Sequence, residues 1–239
     1  MLSNTFNEES ASTRPDLLTE PEFGAAFACV AQDYLAGKTG AEAPHLYYIT
    51  GLPGAGKSTF VAGLKAQDEA FQNYVHINFD DLRVYHPRYA AHVAADPVNA
   101  AARIDFATER LMTRLVEKAS NRRLNVLMDD AAMGSEITAA VLKPFADAGY
   151  VIDAAIISVP PEVAQQSVMQ RFEADIAAAK SGAAVIPRWV NSEEQAKAPQ
   201  MLQETVETLR MLARKVDVFG RNGEKISAAP SGLFKRHGL

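Results

Sequence analysis

The tightest constraint on this chain is the stretch YYITGLPGAGKSTF, Tyr47 to Phe60. Gly51, four further residues and then Gly56-Lys57-Ser58 fit the pattern G-x-x-x-x-G-K-[ST] at each fixed position. Glycines let such a loop curl so that successive N–H groups point at a phosphate. A helix beginning near Lys57 would add the positive end of its dipole to the same anion site. The expected nucleotide contacts are Gly51, Pro53, Gly54, Ala55, Gly56, Lys57, Ser58 and Thr59. Lys57 serves as a point charge for the outer phosphates, and the Ser58 hydroxyl is the expected Mg²⁺ ligand. A chance glycine turn would lack flanking structure. Here HLYYIT reads as a buried strand before the loop, and TFVAGLKA has helical spacing after it. That context implies ATP or GTP, but it does not name a reaction.

Apolar runs that read as strands are HLYYIT, YVHINFD, LNVLMDD and YVIDAAIISV, with helical stretches between them. The alternation predicts an α/β, P-loop NTPase/kinase-like fold with a mostly parallel sheet flanked by helices. At 239 residues and 48% hydrophobic content, the chain can bury one substantial core. Residues 1–19 are expected to form a tail, disordered over its first part, and 20–239 a single kinase domain. A helix is predicted from Glu20 to Ala36, ended by Gly37. Ligands of open parallel sheets sit at the carboxyl ends of the strands. There the loop after the first strand meets Asp80 and Asp81, ending the second, and Asp129 and Asp130, ending the third.

Charge and cysteine content narrow the class. With 24 basic and 29 acidic residues, net −5, and no long basic run, nucleic acid is not expected as a partner. The single cysteine, Cys29, excludes an intrachain disulfide, and its setting FGAAFACVA predicts a small buried residue. No run approaches the ~18 apolar residues of a membrane span. MLSNTFNEESASTRPD has no apolar segment of the kind a secretion signal needs. A cytoplasmic protein is expected, although a signal read by a dedicated secretion machine is compatible with the polar first residues.

Moving a γ-phosphoryl group onto a hydroxyl needs a base for the proton and cations for the charge. Asp80 is the candidate base, and Asp81 the candidate N-cap of the helix that LRVYH opens; both are residue types that cap helices. Asp129 and Asp130 resemble the acidic end of a Walker-B strand, as Mg²⁺-water ligand or substrate contact, with another helix cap as the alternative. Trp189 can stack on a base or cover a hydrophobic edge. Arg171, in QQSVMQRFEADIAAAK, faces either solvent or the site.

DDLRVYHPRY resembles an element of the zeta-toxin family of P-loop kinases, in which an Asp at the end of the second strand is followed by Arg and His-Pro-x-Tyr. The resemblance runs in order through EPEFGAAFACVAQDYLAGK, ARIDFATERLM, AGYVIDAAIISVPPEVAQQSVMQRFE and VDVFGRNGEKI, from about Glu20 to Ile226. It implies that Lys57 is the phosphate-loop lysine, Asp80 the base on the substrate hydroxyl and Arg171 a contact of the transferring phosphate. Arg83, His86 and Pro87 match the element behind the base. Arg83, His86, Asp105, Asp129 and Asp130 are placed on the substrate side. The implied reaction is Mg²⁺/ATP-dependent phosphorylation of the 3′-hydroxyl on the amino sugar of UDP-N-acetylglucosamine. The implied protein partner is a small antitoxin that covers the ATP site.

Three departures fall in the acceptor half. The family's Glu-Gly-Thr at the end of the third strand is replaced by Asp129-Asp130-Ala131. The shorter acid retracts by about one methylene (of order 1.5 Å), and Ala131 removes a hydroxyl donor. The family's second arginine, in Arg-x-x-Pro, is replaced by Ala184-Val185-Ile186-Pro187, with Lys180 and Arg188 out of register on either side. The following PRWVNSEE lacks the family's His-Asp pair. Three readings stay open: a UDP-N-acetylglucosamine kinase, a kinase with another acceptor, and a nucleotide-binding module without transfer activity.

Overall fold

The computed structural model describes residues 15–181, Val190 and 192–226. The apolar run before the phosphate loop forms β1 (His45–Gly51), the middle of a six-stranded sheet. β3 (Val126–Asp129) lies parallel on one side, with Ile49 opposite Asp129. On the other side lies β4 (Val151–Ile157), also parallel, its last residue opposite Gly51. β2 (Val75–Ile77) flanks β3 and β5 (Lys215–Phe219) flanks β4, both parallel. β6 (Lys225–Ile226) turns back antiparallel on β5, giving the order β2-β3-β1-β4-β5-β6. Alternation along β1 sends Leu46 and Tyr48 into one apolar cluster and Ile49 into the other. Both faces are therefore covered, which is why these strands read as near-continuous apolar runs.

Among the described residues eight α-helices supply the cover: α1 (Glu20–Leu35), α2 (Lys57–Gln67), α3 (Phe79–Leu82), α4 (Tyr89–Ala95), α5 (Ala100–Asn121), α6 (Gly134–Asp147), α7 (Pro161–Lys180) and α8 (Ser192–Leu212). α1 starts at a capping box in which Thr19 and Glu22 bond each other's backbone N–H groups. Such a cap contributes about 1 kcal/mol. Val30 and Leu35 of α1 meet Leu111 and Leu115 of α5 in the first cluster. Leu202 and Val206 of α8 join Ile49 and Ile157 in the second.

Four expectations are corrected. Residues 16–19 do not belong to a tail: Arg88 and His92 both bond the Asp16 carboxylate, and the Asp16 N–H donates to the Arg103 carbonyl. Cys29 is exposed rather than buried, because α1 packs through Ala26, Val30 and Leu35 and turns Ala28 and Cys29 outward. The second strand stops at Ile77, so Asp80 and Asp81 lie in the first turn of α3 instead of at a strand end. The N-cap of α3 is Asn78, whose Oδ1 accepts from the Asp81 N–H, so Asp81 is capped and does not cap. Residues 1–14, Ala184–Pro187, Arg188, Trp189 and the Lys180 side chain lie outside what is described. Among the described residues, no helix is long and apolar enough to cross a membrane.

Candidate active site

The loop from Gly51 ends at Gly56, which takes a left-handed conformation (φ 101°) and leads directly into Lys57, the first residue of α2. Gly54 is also left-handed (φ 82°), and a Cβ there would lie 2.2 Å from the Ala164 carbonyl oxygen. Only glycine fits so close to α7. Lys57 folds back over the loop, its Nζ donating to the carbonyls of Gly51 and Leu52, each at 3.2 Å. Desolvation lowers its pKa, and the carboxylates of Asp130, Asp129 and Asp80 oppose that shift. Ser58 and Thr59 stand exposed at the start of α2. A lysine resting on carbonyls, left-handed glycines and exposed hydroxyls at a helix start fit a Mg²⁺-nucleotide. Lys57 would meet the outer phosphates and Ser58 the metal.

The acids converge on this lysine. Asp129, 2% exposed, ends β3, and the Asp130 N–H continues the sheet by donating to the Ile49 carbonyl. Asp130 is pushed up to about 7, chiefly by burial, with Asp80 adding to the rise while the Ala131 N–H and Lys57 oppose it. Three carboxylates around one ammonium, with Asp129 itself buried, cannot all ionise without cost. Arg171, on α7, is close enough to act electrostatically on Lys57. The structure thus brings Lys57, Asp80, Asp129, Asp130 and Arg171 to one place.

The remaining substrate-side candidates stand behind Asp80. The Arg83 side chain, 12% exposed, donates from Nη1 to Asp80 and from Nε to Asp105 Oδ1 at 3.0 Å. His86 is buried; Nε2 lies 3.3 Å from the Asp16 carbonyl and Nδ1 accepts from the Arg88 N–H. Its ring nitrogens are thus engaged by the backbone, and it anchors the segment entering α1 rather than touching an acceptor.

Four residues escape a reading of the sequence. His76 on β2 bonds Asp129 Oδ1 through Nε2 at 2.6 Å, and Lys65 of α2 meets its Nδ1 at 3.1 Å. Asn78 donates from Nδ2 to the Asp129 carbonyl at 2.9 Å while capping α3. Arg221, in the turn between β5 and β6, lies beside Gly56 and donates to Ser167 Oγ of α7 at 2.8 Å. The hairpin FGRNGE was the only sequence signal for Arg221. Next to Pro53, a cavity of about 310 Å³ runs between α7 and α8, lined by Leu52, Pro161, Gln165, Gln195 and Pro199.

A parallel sheet with a phosphate loop after its central strand, acids beyond the neighbouring strands and an arginine-bearing helix behind the loop defines a P-loop kinase fold. The chain belongs to the zeta toxin family, whose model matches residues 31–228. It is 28% identical over 159 residues to Toxin PezT of Streptococcus pneumoniae, a match covering 65% of this chain and 60% of that toxin. It therefore spans less than two thirds of that relative. The fold is similar to a chain from the PezAT chromosomal toxin-antitoxin system of S. pneumoniae, with TM-score 0.72, 18% identity and coverage of 91% and 86%. It is also similar to a chain of the AvrRxo1-ORF1:AvrRxo1-ORF2 complex solved with ATP, with TM-score 0.52, 14% identity and coverage of 86% and 62%.

Proposed function

We propose that this protein is a Mg²⁺/ATP-dependent kinase of a small alcohol in the cytoplasm, with UDP-N-acetylglucosamine as the leading acceptor. The observation that carries this reading is the convergence of Asp80, Asp129, Asp130 and Arg171 on Lys57. ATP and Mg²⁺ supply an activated phosphoryl group and a counter-charge on its oxygens. Lys57 holds the outer phosphates from a position already over the loop. Asp80, held by Arg83, is oriented to accept the acceptor's hydroxyl proton. Arg171 offers a planar donor to the transferring group.

A second acceptor class is favoured by one observation. Asp130 brings a carboxyl into a position where the resembled family has glycine, and burial pushes its pKa up to about 7. In its protonated form this carboxyl would donate a hydrogen bond, which suits an acceptor that presents an oxygen at this end. Family membership and the toxin–antitoxin neighbour support a small antitoxin as protein partner.

The test is product formation from ATP with a panel of uridine-diphosphate sugars and nucleosides, followed by the same assay on Lys180→Ala and Arg188→Ala. One of the two variants is expected to lose about tenfold, near 1.4 kcal/mol. No phosphorylated sugar, with neither variant changed, would rule out the sugar-kinase reading in favour of another acceptor or an inactive nucleotide binder.

A further inference from the structure

β2 alternates Val75 and Ile77, both buried, with His76, whose side chain therefore points to the other face of the sheet. In the parallel register His76 sits opposite Leu127, so Asp129, two residues on, shares its face. That face is covered by α2, the helix that begins at Lys57, and Lys65 lies two turns along it. The result is a three-membered chain, Lys65 Nζ to His76 Nδ1 at 3.1 Å and His76 Nε2 to Asp129 Oδ1 at 2.6 Å.

The chemistry of the groups sets the direction of both bonds. An ammonium has only protons to give, so His76 Nδ1 accepts and the ring proton resides on Nε2. Nε2–H then donates to Asp129. Lys65 thus selects the tautomer, and the tautomer holds the carboxylate by one oxygen. Lys57 lies within electrostatic reach of that carboxylate, as it does of Asp130 and Asp80, yet its ammonium bonds the Gly51 and Leu52 carbonyls. In a partly desolvated site, opposite charges that are free to move close into an ion pair.

We propose that His76 and Lys65 are positioning residues that hold Asp129 back from Lys57, so that Lys57 stays available to phosphate. This deepens the kinase reading and rests on Lys57 being the phosphate ligand. In the variant His76→Ala, Asp129 swings onto Lys57 and competes with nucleotide. Adding Asp129→Asn removes the competing charge. Loss of a merely structural contact would not be repaired by a second substitution at the carboxylate.

The experiment is equilibrium binding of a fluorescent ATP analogue with Mg²⁺ to the full chain. His76→Ala should bind about tenfold more weakly, a shift near 1.4 kcal/mol, and His76→Ala/Asp129→Asn should regain at least about threefold over His76→Ala. His76→Gln, whose Nε2 amide can still donate, should stay near wild type. Unchanged binding in His76→Ala, or no recovery in the double variant, overturns the proposal. Nitrogen-15 imidazole shifts decide the tether without nucleotide: His76 should be Nε2-protonated, and Lys65→Met should abolish that preference. The same tautomer in both overturns it. A wild-type chain that binds ATP but transfers nothing sinks the kinase reading and leaves these comparisons to decide the tether.

Discussion

Arg83 joins Asp80 to Asp105, donating to the first from Nη1 and to the second from Nε and Nη2, across a gap of one turn of α3 and the whole length from α3 to α5. Asp80 is therefore a carboxylate whose orientation is set from behind. Asp80→Asn keeps the shape but removes the proton acceptor, so turnover should fall by about 10²-fold or more while ATP affinity stays near wild type. Arg83→Ala should lower turnover too, by freeing Asp80, and a circular-dichroism melt should show whether α3 and α5 stay docked. Equal loss of ATP binding in Asp80→Asn would show that this acid serves the nucleotide.

Lys57→Ala should abolish most activity and leave the fold intact, since among the described residues its Nζ bonds the loop carbonyls of Gly51 and Leu52. Removing one charge-stabilising group at a phosphoryl-transfer site costs on the order of 3 kcal/mol, or 10²-fold in rate. Steady-state kinetics with a thermal melt checks it, and wild-type turnover would make the loop structural only.

Asn78→Ala should cost about 1 kcal/mol as a lost helix cap, and more because its amide also holds the Asp129 carbonyl. Asp81→Asn should change stability by only a few tenths of a kcal/mol, since Asp81 is the capped residue. Urea titrations of the two variants separate them, and the reverse ranking would return the cap to Asp81.

Asp130 makes stability fall as pH rises. Its pKa in the folded chain, about 7, lies above its ordinary value of 3.8, so the native state binds that proton more tightly. The contribution is whole below 3.8 and is lost as pH climbs through about 7. The loss by pH 8 is at most about 4 kcal/mol, less what the residue's remaining exposure screens. Asp130→Asn should therefore be more stable than wild type at pH 8 and lose that advantage near pH 4, in urea titrations without Mg²⁺ or nucleotide. Parallel pH profiles for the two proteins would remove Asp130 as the cause.

The loop, the central strands and the bounds of α1 were legible because each has a local signal: fixed glycines, an apolar run, a capping box before Glu20 and a glycine after Ala36. The cap of α3 was not. Asn78, Asp80 and Asp81 are all cap-forming types, and Phe79 let the strand pattern run on past Ile77. The His76–Asp129 pair depends on the register of two strands 53 positions apart, which no short window carries. Cys29 misled because α1 is rich in small residues, whose spacing scarcely distinguishes an inner from an outer face. Arg83 and His86 were found by motif, but only coordinates separate a residue that touches a ligand from one that steadies its neighbour.

The contact of Gly54 with the Ala164 carbonyl turns α7 into a ruler. Ala164 and Arg171 are seven residues apart, close to two turns, so they share a face about 10 Å apart along the axis. With the zero mark pinned at the loop by a glycine that admits no side chain, the reach of the arginine is counted in residues. One residue inserted between them would rotate Arg171 by about 100° and carry it off the site with its chemistry unaltered. The spacing, as much as the guanidinium, is therefore what this helix contributes.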